Sequence, residues 1–163
     1  MSKKKIKEYI YKLAEPREEF GNMPTCPYAH VHLDEGKMEI KEWDPKKSTI
    51  IDELKRFSKS KYRSTAWYVK DTSSLFKTGS PEETEAWTEE INEKVLNDYE
   101  LGIIMVTFNP NDKSSVDGFA PRSMSPYFTV GAVYLEDLNE AHDKLEETTY
   151  FDKLTGDYKD QLV

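Results

Sequence analysis

Apolar residues in this chain recur with two periods, and reading them in order gives a sequence of elements. Ile6, Tyr9, Ile10 and Leu13 fall at helical spacing, which predicts an amphipathic helix over 3–14 that stops before Pro16. Residues 15–28 hold three prolines and a glycine and read as an irregular loop. Two short extended runs, about 29–33 and 37–43, flank Asp34-Glu35-Gly36, a spacing that predicts a β-hairpin. Thr49 and Asp52 form a capping pair ahead of Ile50, Ile51, Leu54 and Phe57, the buried face of a second helix. Thr65–Val69 is strand-like in composition.

Ser80-Pro81-Glu82-Glu83 is a helix start, with a capping hydroxyl, proline at the first helical position and acids on the dipole. That helix is expected to run to about Asn97 and to bury Trp87, Ile91 and Val95. Leu101–Phe108 is apolar on both faces, the pattern of a central strand covered on both sides. A polar loop over 109–126 leads to a strand over 128–134, then to a helix over 135–147 burying Leu135, Leu138, Ala141 and Leu145. The expectation is a single α+β domain over 1–163. It has a mixed sheet containing a hairpin, helices packed on it in a ferredoxin-like sandwich, and residues 1–22 as an N-terminal helix and loop laid against it.

Composition narrows the partners. The formal charge of −8 argues against nucleic acid, whose phosphates select basic surfaces. No run approaches the roughly 18–20 apolar residues of a membrane span, so no membrane role is expected. The basic residues near the start have no apolar stretch behind them, so no secretory signal is expected. One cysteine cannot close an internal disulfide, which fits a reducing, cytoplasmic setting.

Candidate chemistry concentrates in Met23–His32, which holds the only cysteine and two of the three histidines. On a strand, His30 and His32 share a face, and Cys26 upstream completes a three-ligand set suited to zinc, iron or copper. The alternative is a small buried thiol beside solvent-facing imidazoles. Cys26-Pro27-Tyr28-Ala29 also looks like the glutaredoxin Cys-Pro-Tyr-Cys motif with its second cysteine replaced, although a proline-rich loop precedes it and an apparent strand follows. In the long loop Arg122, Ser123, Ser125 and Tyr127 offer groups that hold a carboxylate or phosphate, against the plainer reading of a surface turn closed by Pro126. The glutamates of 82–93 read as a solvated helix face.

With these motifs the chain resembles the bacterial family known as domain of unknown function 1415. Its members look like Cys-Pro-Phe-Ala-Lys near the start, Phe-His-Pro after a hydrophobic strand, and an Arg-Ser-Pro-Tyr-Pro box further on. The matching residues here are Cys26-Pro27-Tyr28-Ala29, Phe108-Asn109-Pro110 and Ser125-Pro126-Tyr127, in the same order. Tyr134-Leu135-Glu136-Asp137 falls where that family has a similar leucine-acidic stretch. The likeness spans roughly 20–150 by short motifs. His30 stands in place of a lysine and Asn109 in place of a histidine. The resemblance implies a shared site and names no reaction.

Two functions follow. One is a small enzyme with Cys26 as nucleophile or metal ligand and His30 and Tyr127 as catalytic partners, its anionic substrate held by Tyr28, Asn109, Arg122 and Ser125. The other is a non-catalytic module that docks a protein partner through its acidic surface.

Overall fold

The computed structural model describes residues 2–13, 16–17, 23–24, 30–112 and 125–146. In chain order the elements are α1 (Ser2–Leu13), β1 (Pro16–Arg17), β2 (Met23–Pro24), α2 (Val31–Asp34), β3 (Met38–Glu42), α3 (Ile50–Ser58), β4 (Ser64–Val69), α4 (Pro81–Asn97), β5 (Ile103–Phe108), β6 (Phe128–Tyr134) and α5 (Leu135–Glu146). The main sheet has the order β3-β4-β6-β5, and β1 and β2 form a separate two-residue ladder. The protein is an α+β fold with a mixed sheet: β3 pairs with β4 in parallel, and the β4–β6 and β5–β6 pairs are antiparallel. Among the described residues no helix is long and apolar enough to cross a membrane.

The sheet divides two cores. On one face α3 and α4 bring Leu54, Phe57, Ile91 and Val95 onto Trp67, Ile103, Met105 and Val130. An aromatic chain runs through this core, from Trp43 stacked on Trp87 at 6.4 Å to Phe76 edge-on against Phe128 at 5.2 Å. On the other face α1 packs Ile6 and Ile10 against Ala66 and Tyr68, as its apolar spacing requires. Strand β4 lies between the layers and is buried along its whole length.

Four expectations are corrected. The run at 29–33 is not a hairpin strand. His30 O accepts from Asp34 N at 2.9 Å and Val31 O from Glu35 N at 3.0 Å, which closes a helical turn. Gly36, at φ 71°, follows this turn in the left-handed conformation. Its N–H reaches Leu33 O, and the Lys37 N–H reaches His32 O at 2.7 Å, the paired bonds of a Schellman ending. A glycine that read as a hairpin turn is thus a helix stop.

The Leu101–Phe108 run is an edge strand, because β4 and β6 hold the centre of the sheet. Ile103 and Met105 face the core, whereas Val106 on the other face is 43% exposed. Its neighbour across the pair is Gly131, where a Cβ would come within 3.1 Å of Val106 Cγ2, so glycine keeps β5 and β6 close there. The parallel β3–β4 pair also departs from the all-antiparallel sheet of a ferredoxin-like sandwich. Finally, Leu135, Leu138 and Ala141 are half-buried and join neither core. Polar contacts hold α5 instead: Arg63 chelates Asp137 at 2.9 and 3.0 Å, reaches Glu136 at 2.6 Å and lies 4.2 Å over the Tyr134 ring.

Candidate functional site

Strands β3, β4 and β5 run in one direction, so Glu42, Val69 and Phe108 end at a common edge, where β6 begins with Phe128. The carboxyl edge of a crossover sheet is where loops part and ligands enter. A cavity of about 250 Å³ opens there between three segments: the β4–α4 connection, the turn after β5 and the approach to β6. Val69, Phe76 and Phe128 give it apolar walls, and Thr72, Asn111 and Tyr127 bring polar atoms. A wider bowl of about 850 Å³ lies against the same connection, from Lys70 to Gly79.

Local sequence chemistry sets each wall. Ser80 caps α4 by accepting from Glu83 N at 3.2 Å. Glu83, at the third helical position, reaches back to accept from the backbone N–H groups of Lys77, Thr78 and Gly79 at 3.1, 3.0 and 2.9 Å. Those amides, Thr78 first, hold its carboxyl below the ordinary range. Asn109 ties two of the walls together. Its amide nitrogen donates to Gly79 O at 2.9 Å and Thr84 Oγ1 at 3.2 Å, and its amide oxygen accepts from Asn111 N at 2.8 Å. At the third wall, Ser125 Oγ donates to Tyr127 O at 2.6 Å. The Tyr127 ring lies 5.6 Å from that of Tyr68, and its hydroxyl bonds Ser2 Oγ at 3.2 Å.

The chain matches no family model, no curated protein and no solved structure.

The residues singled out in the sequence divide into three groups. Asn109 and Tyr127 line the same cavity at the carboxyl edge, and Ser125 bonds the Tyr127 carbonyl beside it. Cys26, Tyr28 and Arg122 lie outside the described residues. His30 and His32 are at the opposite edge, in the turn that precedes β3.

The two histidines do not share a strand face, because a helical turn points residues two apart in different directions. His30 Nε2 is 3.8 Å from Asp34 Oδ2, and Tyr11 donates its hydroxyl to Asp34 Oδ1 at 2.6 Å. The buried His30 Nδ1 has no hydrogen-bond partner among the described residues. His32 instead bonds Ser64 Oγ through Nδ1 at 2.9 Å and sets Nε2 3.7 Å from Asp137 Oδ2. Ser64 and Val69 are the two ends of β4, so His32 stands roughly 17 Å from the cavity at about 3.3 Å per strand residue. Among the described residues no three His, Cys, Asp or Glu side chains group to hold a metal ion.

Burial lowers the His32 pKa below its ordinary value, and Asp137 only partly offsets this. A histidine kept neutral on folding contributes stability above about pH 6.5 that is lost as pH falls toward its depressed folded-state pKa. Wild-type urea midpoints are therefore expected to drop between pH 7.5 and 5.5. His32→Gln, which retains a hydrogen-bonding group for Ser64 but cannot titrate, is expected to drop less. An equal drop in both proteins contradicts this assignment.

The β4–α4 connection was not singled out from sequence. Its signal was positional: it follows the carboxyl end of a strand and closes on Gly79-Ser80-Pro81, where a helix begins.

Proposed function

We propose that this protein is a binding module whose site is the carboxyl-edge cavity, taking one small molecule in the space lined by Thr72, Phe76, Asn111 and Phe128. The observation that carries this reading is the Asn109 clamp, which joins the turn after β5 to the β4–α4 wall through hydrogen bonds to Gly79 and Thr84 before any ligand arrives. Walls already fixed reduce the ordering cost of binding. The lining is mixed, with Val69, Phe76 and Phe128 presenting carbon and Thr72, Thr78 and Asn111 presenting polar atoms to orient a ligand. At about 250 Å³ the cavity suits a ligand of about one ring.

His30, at the opposite edge of the sheet, does not reach a molecule held in this cavity. A general base works within hydrogen-bond reach of the reacting proton, and the described walls carry no histidine, carboxylate or thiol. A thermal-shift screen of single-ring compounds tests the reading. A ligand at a hundred times its Kd is expected to stabilise the fold by about 2.7 kcal/mol. The effect should disappear in Thr72→Trp, whose indole fills the cavity. Stabilisation that persists in that variant places the ligand elsewhere and contradicts the proposal.

A further inference from the structure

We infer that β3 is an interface for a second copy of this chain, whose own β3 adds antiparallel to it and joins the two sheets into one. The main sheet has two edges, and they differ. At β5 the Asn92 side chain bonds both Met105 N and Met105 O, in the place of a further strand. At β3 no described strand adjoins the outer side, and no described side chain bonds its outward backbone groups in that way. The groups that face outward follow from the pairing with β4. Ser64 N donates to Lys37 O at 3.3 Å, and Trp43 N donates to Tyr68 O at 3.0 Å. Backbone direction alternates along a strand, so residues 37, 39, 41 and 43 bond inward. Met38, Ile40 and Glu42 therefore turn their N–H and C=O groups to the open edge.

The segment Met38-Glu39-Ile40-Lys41-Glu42 is complementary to its own two-fold copy. With the axis at Ile40, that residue exchanges both backbone bonds with its counterpart, and Met38 does so with Glu42 of the second copy. Glu39 then stands opposite Lys41 of the second copy, in the non-hydrogen-bonded pairs where side chains come closest. Moving the axis to Glu39 sets glutamate against glutamate, and moving it to Lys41 sets lysine against lysine. Charge thus selects a single register. The faces agree as well. Met38 and Ile40 pack on the α1 side of the sheet, so the two copies of Ile40 meet among apolar neighbours. Glu39 and Lys41 lie on the other side with Arg56 and Glu53 of α3, and the pairing extends that charged network across the axis. Each copy uses one edge, so assembly closes at two.

Sedimentation velocity on the full chain should show a monomer–dimer equilibrium set by concentration and no larger species. Amide exchange followed by NMR at low and high concentration gives the location. The N–H groups of Met38, Ile40 and Glu42 should gain protection as concentration rises, whereas those of Glu39 and Lys41, already bonded to β4, should not change. Glu39→Lys and Lys41→Glu should each be monomeric, because each sets like charges against itself. An equimolar mixture of the two should dimerise, since every opposed pair is again glutamate with lysine. A wild type that stays monomeric to about 1 mM overturns the proposal. So does a dimer in which protection at Met38, Ile40 and Glu42 is independent of concentration. Single variants that dimerise as tightly as the wild type overturn the register. If either variant does not fold, the exchange pattern of the wild type decides the question without it.

Discussion

Replacing Trp67 by alanine is expected to cost about 3–5 kcal/mol. Trp67 is fully buried in the middle of β4, with its ring edge-on to Phe57 at 6.2 Å. Its indole N–H donates to Glu39 Oε1 at 2.9 Å. Glu39 in turn holds Arg56 at 2.6 Å, and Lys41 pairs with Glu53 on the same helix, so the ring floors a charged network between β3 and α3. Burial pushes the Glu39 carboxyl up, but hydrogen bonds from Arg56 and Trp67 outweigh it and hold the group below the ordinary range. Alanine leaves a cavity and withdraws one of those bonds together. Trp67→Phe keeps most of the ring and should lose about 0.5–1.5 kcal/mol for the hydrogen bond, beyond any repacking cost. A urea-derived loss below about 1 kcal/mol for Trp67→Ala would show that the ring is not central to the core.

The second large effect is expected at Asn92, whose side chain serves as a substitute neighbour for the edge strand. Its amide nitrogen donates to Met105 O at 2.8 Å, and its amide oxygen accepts from Met105 N at 2.7 Å. An adjacent strand would supply the same pair of bonds. Thr88 and Thr107 add a hydroxyl contact at 2.9 Å beside it. Met105 is almost fully buried, so Asn92→Ala leaves two backbone groups without partners, at about 1–3 kcal/mol for each. It also opens a strand edge, the kind of surface that pairs with other chains. The expected result is a lower unfolding midpoint, with self-association on raising the protein concentration. Asn92→Asp should restore neither property, because a carboxylate cannot donate to Met105 O. Wild-type stability and a monomeric state in Asn92→Ala would contradict the edge-cap account.

What the sequence made legible follows from the range of the interactions involved. Helices α3 and α4 were readable because their signals are local: Thr49 accepts from Asp52 N at 3.1 Å, and Ser80 accepts from Glu83 N as the motif implies. Strand β5 was readable as a strand but not as an edge, since strand order depends on partners far away in the chain and a continuous apolar run suits either place. The run His30–Leu33 was misread for a different reason. Gly36 ends a helical turn as readily as it turns a hairpin, and so short a stretch shows no decisive period. That error carried His30 and His32 onto one face and toward a site some distance away. At the site itself, Asn109 and Tyr127 stood out because prolines flank them. Thr72 and Phe76 did not, because they act through position, and Glu83 stood out only as a helix-start acid, since no residue pattern advertises the backbone amides it holds.

Hydrogen–deuterium exchange with a saturating single-ring ligand, chosen from the thermal screen, tests the location of the site most directly. The account predicts added protection in peptides covering 69–80, 108–112 and 125–128, the three walls of the cavity, with 30–37 and 135–138 unchanged. Protection centred on His32, Ser64 and Asp137, with the carboxyl edge unaffected, would contradict it.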